Sequence, residues 1–291
     1  MRGKVLVVHD DSLNTEQFIQ YNELFVNSAK NHNIVLEFKK NSDLYTYIDN
    51  NVVKGNDSYE TYDYAIFFDK DVHLARNLEM LGVKVVNSSK AIDICENKAN
   101  MYQELAKNNI NIPKTAIFPT MTNFTKEKAK AFLDEAIIDI GLPMIVKEWY
   151  GDYGKNVYLV KNKEQLYDLV EKLQGKELLL QEFVLESSGT DIRMFVIKNK
   201  VVASYRRQGI TGDFRSNLTL GGTIHSYIPS YLDEQLAVSA ANAIGCDFAI
   251  VDILKSINGP VVCEVNTTAN VNNFYSACNI NIPDLMLKMI K

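Results

Sequence analysis

Asp252, Glu264 and Asn266 are the first residues whose types and spacing suggest chemistry. Glu264 and Asn266 are two apart in an apolar run with Val262 and Val265, so on a strand their side chains share a face. An acid and an amide on so apolar a strand need partners, because burying either unpaired is costly. Oxygen-only donors suit a hard cation such as Mg²⁺, which phosphate oxygens usually help to coordinate. A buried hydrogen-bond network among the same three residues fits the spacing equally well. A second signal is Lys147, which interrupts the apolar run Met144-Ile145-Val146 just before the loop Trp149-Tyr150-Gly151-Asp152-Tyr153-Gly154-Lys155. A cation there can meet an anion, although Gly151 and Gly154 also read as plain turn residues and the tyrosines as packing aromatics.

The elements that must position these residues fall into three stretches. Strands at Lys4 to Val8, Ile34 to Phe38, Tyr64 to Phe68 and Lys84 to Val86 alternate with helices at Thr15 to Asn31 and His73 to Leu81, which implies a parallel sheet. The polar stretch Asn50 to Tyr62 reads as a loop, and this unit ends between Ser88 and Glu96. The middle stretch pairs helices at Asn97 to Asn108, Thr125 to Ile140 and Asn162 to Leu173 with strands at Lys114 to Phe118, Met144 to Glu148, Asn156 to Val160 and Glu177 to Phe183. The last is strand-rich, with Asp191 to Lys198 and Val201 to Tyr205 around a turn at Asn199-Lys200, a helix from Tyr231 to Ile244, and a hairpin of Phe248 to Leu254 with Val261 to Val265. The expected units are 1–95, 96–183 and 184–291.

Register in that last hairpin decides whether a metal site exists. A two-residue turn at Asn258-Gly259 places Asp252 opposite Val265, on the wrong face. A three-residue loop of Ile257, Asn258 and Gly259, or a bulge in either strand, places Asp252 opposite Glu264. The loop or the bulge is therefore expected.

In order, Tyr205-Arg206-Arg207-Gln208, Gly212-Asp213-Phe214-Arg215-Ser216-Asn217, Gly221-Gly222, Val251-Asp252-Ile253-Leu254 and Glu264-Val265-Asn266 closely resemble the RimK-type ATP-grasp ligases, over roughly residues 97–266. The founding member of that type adds glutamate to a ribosomal protein, and relatives work in amino-acid biosynthesis and peptide modification. The resemblance implies an α/β chain, α+β in its C-terminal parts, with an ATP-grasp fold behind an N-terminal Rossmann-like parallel-sheet domain. It implies an ADP-forming ligase that activates a carboxylate as an acyl phosphate and joins it to an amine, using ATP and two Mg²⁺, with Mn²⁺ as an alternative. The substrates implied are glutamate or another amino acid, joined to a peptide, protein or small metabolite.

Carried over position by position, Lys98 and Lys147 would hold ATP phosphates. The Gln181-Glu182-Phe183-Val184 strand would meet the adenine edge through its backbone, with Asp191 near the ribose. Arg215 and Asn217 would reach the reacting phosphoryl region, and Arg207 would contact the carboxylate or acyl phosphate. Asp252, Glu264 and Asn266 would bind the two metal ions, Glu264 bridging. The chain departs from the pattern after Asn266, where Thr267-Thr268-Ala269-Asn270-Val271-Asn272-Asn273-Phe274-Tyr275 replaces a small residue, Pro and Gly at the substrate end. The loop at Gly151 to Lys155 is also leaner in glycine than the family's phosphate lid, and Tyr153 is expected to move with it.

Other classes fit less well. At 46% hydrophobic and 23% charged residues the chain is of ordinary globular composition, and its net charge of -5 argues against broad nucleic-acid binding. No apolar run can span a bilayer, and the run at Lys4 to Val8 reads as a first strand, not a leader. The four cysteines, Cys95, Cys246, Cys263 and Cys278, lack a CxxC pair, so a reduced cytoplasmic thiol set is expected. His9, His32, His73 and His225 show no metal or triad spacing and read as surface or loop residues. A homo-oligomer is compatible with all of this. Two rival readings are a nucleotide-binding protein of the same fold without ligase activity, and a non-catalytic small-molecule module on the first domain. Against the second, Val8-His9-Asp10-Asp11 offers no GxGxxG, and Gly154-Lys155-Asn156 is not a Walker A loop.

Overall fold

The computed structural model describes residues 3–10, 16–56, 58–121, 125–151, 154–268 and 271–290, with the side chains of 16–18 outside the description. The chain begins with β1 (Gly3–His9), α1 (Glu16–His32), β2 (Ile34–Lys40), a small hairpin of β3 (Thr46–Asp49) and β4 (Val52–Gly55), then β5 (Tyr64–Phe68), α2 (Val72–Met80), β6 (Lys84–Val86) and α3 (Ser89–Glu96). β1, β2, β5 and β6 form a parallel sheet in the order β2-β1-β5-β6. Both its faces are covered, as a parallel sheet requires. Val5 and Val7 turn toward Tyr21, Phe25 and Ala29 of α1, whereas Leu6 and Val8 turn toward Leu74 and Leu78 of α2 and Ile92 of α3. The β3–β4 hairpin corrects the loop expected at Asn50 to Tyr62. Asn50 and Asn51 both take positive φ, 47° and 63°, the conformation a tight two-residue hairpin turn demands.

The middle of the chain holds α4 (Lys98–Lys107), β7 (Thr115–Ile117), α5 (Lys126–Ile140), β8 (Met144–Glu148), β9 (Val157–Val160), α6 (Lys163–Lys172) and β10 (Leu178–Glu182). Its strands form an antiparallel sheet ordered β7-β10-β8-β9. Asn97 caps α4 by accepting from the Asn100 amide at 3.1 Å, which fixes Lys98 as the helix's first residue.

Next come β11 (Thr190–Ile197), β12 (Lys200–Gln208), β13 (Thr223–Ser226), α7 (Tyr231–Ile244), β14 (Phe248–Ser256), β15 (Gly259–Asn266), α8 (Val271–Cys278) and α9 (Ile282–Ile290). The sheet runs β13-β12-β11-β14-β15. One face, with Met194, Val196, Ala249, Val251, Val262 and Val265, packs on α4 and α7. The other, with Phe195, Ile197, Phe248 and Ile250, packs with Phe274 of α8 and Met286 and Leu287 of α9 into the same core as α1 and one face of the first sheet. β13, α8 and α9 were not expected. The turn after β11 is Lys198-Asn199, one residue earlier than the sequence suggested, with Lys198 at φ 49°. His9 and His32 are not surface residues: His9 is buried in β1, and His32 Nε2 meets Asp284 Oδ1 at 2.9 Å, tying α1 to α9. Among the described residues no helix is long and apolar enough to cross a membrane.

Candidate active site

The hairpin of β14 and β15 turns at Ile257-Asn258, with Ser256 opposite Gly259. A regular ladder from that turn would set Asp252 opposite Cys263. Instead Ile253 pairs with Val262 and Asp252 with Glu264, so Cys263 is a bulged extra residue. Of the two expected devices, the bulge is the one used, and the turn lies one residue before Asn258-Gly259. Arg193 is opposite Asp252 on the other side, and Tyr205 is opposite Arg193. Tyr205, Arg193, Asp252 and Glu264 therefore form one row across four strands, on one face of the sheet.

Two carboxylates stand side by side at one end of that row, next to Arg193. Arg193 donates Nε to Asp252 Oδ1 at 2.7 Å and Nη2 to Asp252 Oδ2 at 2.5 Å. Arg207 Nη2 adds a bond to Asp252 Oδ2 at 2.9 Å and grips Asp191, with its Nε 2.7 Å from Asp191 Oδ1. The Ser216 hydroxyl donates to Asp191 at 2.6 Å. Burial pushes the Asp252 carboxyl above its ordinary value, and the two arginines oppose that push. Burial also weighs against the Arg193 and Arg207 charges, but the carboxylates beside them more than offset it and hold both guanidinium groups firmly protonated.

Glu264 belongs to a separate set. Lys98 Nζ is 3.3 Å from Glu264 Oε1 and donates to the Gly151 carbonyl at 2.7 Å. Burial would raise the Glu264 carboxyl, but Lys98, Lys147 and Arg193 together hold it down at about 2. Lys147 on β8 is buried, donates to Tyr102 Oη at 3.3 Å and lies 4.0 Å from Cys263 Sγ. Its ammonium is disfavoured by burial, yet Cys263, Tyr102 and Glu264 raise its affinity for the proton overall. Tyr102 donates to the Cys263 carbonyl at 2.5 Å, and burial pushes its phenol up to about 12.

The loop after β8 is held at both described ends. Lys98 takes the Gly151 carbonyl, and Arg215 Nη1 donates to the Gly154 carbonyl at 3.1 Å. Arg215 is itself steadied by Asp213, with Nη2 to Oδ2 at 2.8 Å. Gly154 has φ 68°, and a Cβ there would stand 2.7 Å from Asn217 Oδ1, so Arg215 and Asn217 lie directly against this loop. The lid expectation for Tyr153 falls on residues 152–153, outside the described residues.

The predicted residues thus converge unevenly. Lys98, Lys147, Glu264 and Asp252 share one region, and Arg215 and Asn217 reach it through the loop. Asn266 continues the Glu264 strand, and its Nδ2 is buried without a hydrogen-bond partner among the described residues. Asp191 and Arg207 are locked to each other instead of standing free. Gln181 is strand-paired on both sides, and its amide is spent on Thr115 Oγ1 at 2.7 Å and Tyr102 Oη at 3.3 Å. Glu182 Oε2 accepts from the Lys114 amide at 3.1 Å, and Phe183 and Val184 lie beyond the last strand-paired residue, Phe183 edge-on to Phe214. The sequence reading missed Arg193, Tyr102, Ser216 and Cys263 as members of this site. Tyr102 was within reach, because it lies four residues after Lys98 on one helix face.

Asp252, Glu264 and Asn266 retain capacity for a cation. A carboxylate offers about four lone-pair positions, and the three bonds to Asp252 leave one on Oδ1, while among the described residues Glu264 Oε1 meets the Lys98 ammonium at 3.3 Å. The donor set is oxygen-only, as Mg²⁺ or Mn²⁺ prefers.

Comparison with known proteins gives the same direction. The model of the RimK-like ATP-grasp domain matches residues 95–290. A probable alpha-L-glutamate ligase of Maridesulfovibrio salexigens is 36% identical over 222 residues, covering 75% of this chain and 70% of its own. Among solved structures, the RimK domain ATP-grasp protein of Sphaerobacter thermophilus superposes with a TM-score of 0.71 at 18% identity, covering 99% of both chains. The D-alanine–D-alanine ligase of Bacillus anthracis, solved with ATP, gives a TM-score of 0.70 at 19% identity, covering 100% of this chain and 96% of that one. At such identities the structural likeness carries the mixed α/β ATP-grasp fold.

Proposed function

The chain belongs to the RimK-like ATP-grasp family and is an ATP-grasp ligase, and from that premise we propose that it joins an amino acid, glutamate foremost, to the carboxylate of an amino acid, peptide or small metabolite through an acyl phosphate. The observation that carries this reading is the convergence of Lys98 and Lys147 on the Asp252–Glu264 hairpin, with Arg215 bonded to the loop that Lys98 also holds. ATP and a carboxylate are both anions, and cations must neutralise them before they can meet in line. In this reading Lys98 and Lys147 hold phosphate oxygens, and Lys98 exchanges its Glu264 contact for the nucleotide. Arg215 and Asn217 bring the glycine-containing loop over the phosphates and exclude water from the acyl phosphate. Phe183 and Val184, past the sheet edge, present the backbone to adenine, a role Gln181 fills only structurally. Asp252, Glu264 and Asn266 would hold Mg²⁺, which supplies charge stabilisation to the transferring phosphoryl group. Arg193 and Arg207 orient Asp252, and through Asp191 the network reaches Ser216.

The reading keeps three units, 1–95, 96–183 and 184–291, with the nucleotide between the second and third. A phosphate-release screen with Mg-ATP over pairs of amino acids and short peptides tests it. Amine-dependent ADP formation is expected with at least one pair. ATP binding with no release across the whole panel would sink the ligase reading.

A further inference from the structure

Of the lysines Lys98 and Lys147, only Lys98 is paired with a carboxylate among the described residues, through Glu264 Oε1 at 3.3 Å. Lys147 on β8 is the more deeply buried residue, at 7% exposure, and its partners are neutral groups. Its Nζ meets the phenol oxygen of Tyr102 at 3.3 Å and the thiol of Cys263 at 4.0 Å. A buried ammonium with no carboxylate beside it is costly, so whatever holds it there bears on its use.

Tyr102 is placed to hold it. The residue lies on α4, one turn after Lys98, with its ring buried in the core that α4 and α7 share with the last sheet. The bulge takes Cys263 out of the pairing with β14, and the Cys263 carbonyl accepts from the Tyr102 hydroxyl at 2.5 Å. A phenol has one proton to donate. With that proton on the carbonyl, the oxygen is left to accept, and it accepts from Lys147. Gln181 Oε1 stands 3.3 Å from the same hydroxyl, and Gln181 Nε2 donates to Thr115 Oγ1 at 2.7 Å, so the network continues into the central sheet. A carboxylate in this position would cancel the ammonium charge. A neutral phenol fixes its direction and leaves the charge intact.

We propose that Tyr102 is a positioning residue for nucleotide binding: fastened to the β15 bulge by its own proton, it holds the Lys147 ammonium in place, charged and clear of any carboxylate, for an oxygen of the ATP phosphates. This role rests on the reading in which Lys147 meets phosphate. Without the hydroxyl, Lys147 would be drawn to Glu264, whose charge already acts on it, and a phosphate would have to break that pair.

Calorimetric titration of the whole chain with a non-hydrolysable ATP analogue and with adenosine, both in Mg²⁺, separates this role from packing. Tyr102→Phe keeps the ring and removes the hydroxyl. It should weaken the analogue about tenfold or more, the size expected for a hydrogen bond to a charged group, and adenosine less than about twofold, because adenosine has no phosphate. Lys147→Met should weaken the analogue at least as much. Adding Tyr102→Phe to Lys147→Met should then change affinity less than about twofold further, since the two side chains act as one. Replacing Tyr102 by 3-fluorotyrosine makes the oxygen a poorer acceptor while keeping its bond to the Cys263 carbonyl, and should weaken the analogue by a smaller factor; this protein carries the test if the phenylalanine variant does not fold. Unchanged affinity for the analogue in both Tyr102 proteins, or equal losses for analogue and adenosine, overturns the positioning role. If Lys147→Met is also without effect, the phosphate role of Lys147 falls with it. If Lys147→Met alone weakens the analogue, that reading stands and only the role of Tyr102 is removed.

Discussion

Asp252 faces Glu264 across the β14–β15 hairpin because Cys263 is an extra residue in β15. Without that bulge the turn at Ile257-Asn258 would put Cys263 opposite Asp252 and turn Glu264 to the other face. The same bulge lets Val262 and Val265 both enter the core on α4 and α7 while Glu264, between them, points away. One backbone irregularity therefore settles both the packing of β15 and the assembly of the site.

Removing Asp252 should expose how the row is balanced. Asp252→Ala leaves Arg193 and Arg207 buried without their shared carboxylate, and breaking a buried pair in this way costs about 3–5 kcal/mol. Asp252→Leu combined with Arg193→Met should recover much of that stability and none of the ATP turnover. Denaturant unfolding and phosphate release, measured on the same variants, check both halves; full turnover in the double variant would refute a chemical role for Asp252.

Glu264 should shape the acid limb of the stability curve. Its carboxyl is held at about 2, below its ordinary 4.5, so between those values the unfolded chain binds more protons than the folded one. The stability it contributes is full above pH 4.5 and drains away as pH falls toward 2. With allowance for its partial exposure that contribution is on the order of 2 kcal/mol. Glu264→Gln should lower stability near neutrality by about that amount and flatten the curve between pH 4.5 and 2. An acid limb identical to that of the parent chain would show that Lys98, Lys147 and Arg193 do not act on this carboxylate as the geometry implies.

The same substitution has a chemical consequence under the ligase reading. An amide at position 264 supplies one neutral oxygen where a carboxylate could bridge two ions, so Mg²⁺-dependent ATP turnover should fall by at least 100-fold. Near-normal turnover and an unchanged Mg²⁺ requirement in Glu264→Gln would remove the metal assignment while leaving the fold untouched.

What could be read from the sequence follows the range over which each interaction acts. Periodicity and capping are local, so α7 ends where Gly245 closes it and the four strands of the first sheet lie close to where the apolar runs place them. The Asp252–Glu264 constraint was legible because hairpin register is arithmetic on nearby residues. The Asn50-Asn51 turn was local too, but the polarity of its surroundings masked it. Arg193 is a charge on an apolar strand, but its partner is not a neighbour in sequence. Its choice of Asp252 depends on β14 lying beside β11, a pairing 59 residues distant in sequence. α8 and α9 were missed for a related reason: their apolar faces acquire meaning only against α1, far away along the chain.

Gly154 offers the sharpest test of how the loop reaches the site. Its φ of 68° is left-handed, and a methyl group there would come 2.7 Å from Asn217 Oδ1 and 3.3 Å from Arg215 Cδ. Gly82 has φ 88°, and a methyl group there would meet nothing within 4 Å, so it isolates the backbone cost. Gly82→Ala should therefore lose about 1–2 kcal/mol and leave kinetics unchanged. Gly154→Ala bears the same backbone cost and must also displace Asn217 or Arg215, breaking the bond from Arg215 to its own carbonyl. If those two side chains attend the phosphates, the KM for ATP should rise at least fivefold in Gly154→Ala alone. Thermal unfolding measures the first quantity and steady-state kinetics the second. Equal KM values in the two variants would mean that the contact of Gly154 with Arg215 and Asn217 is packing, and that the phosphates are gathered by Lys98 and Lys147 without the loop.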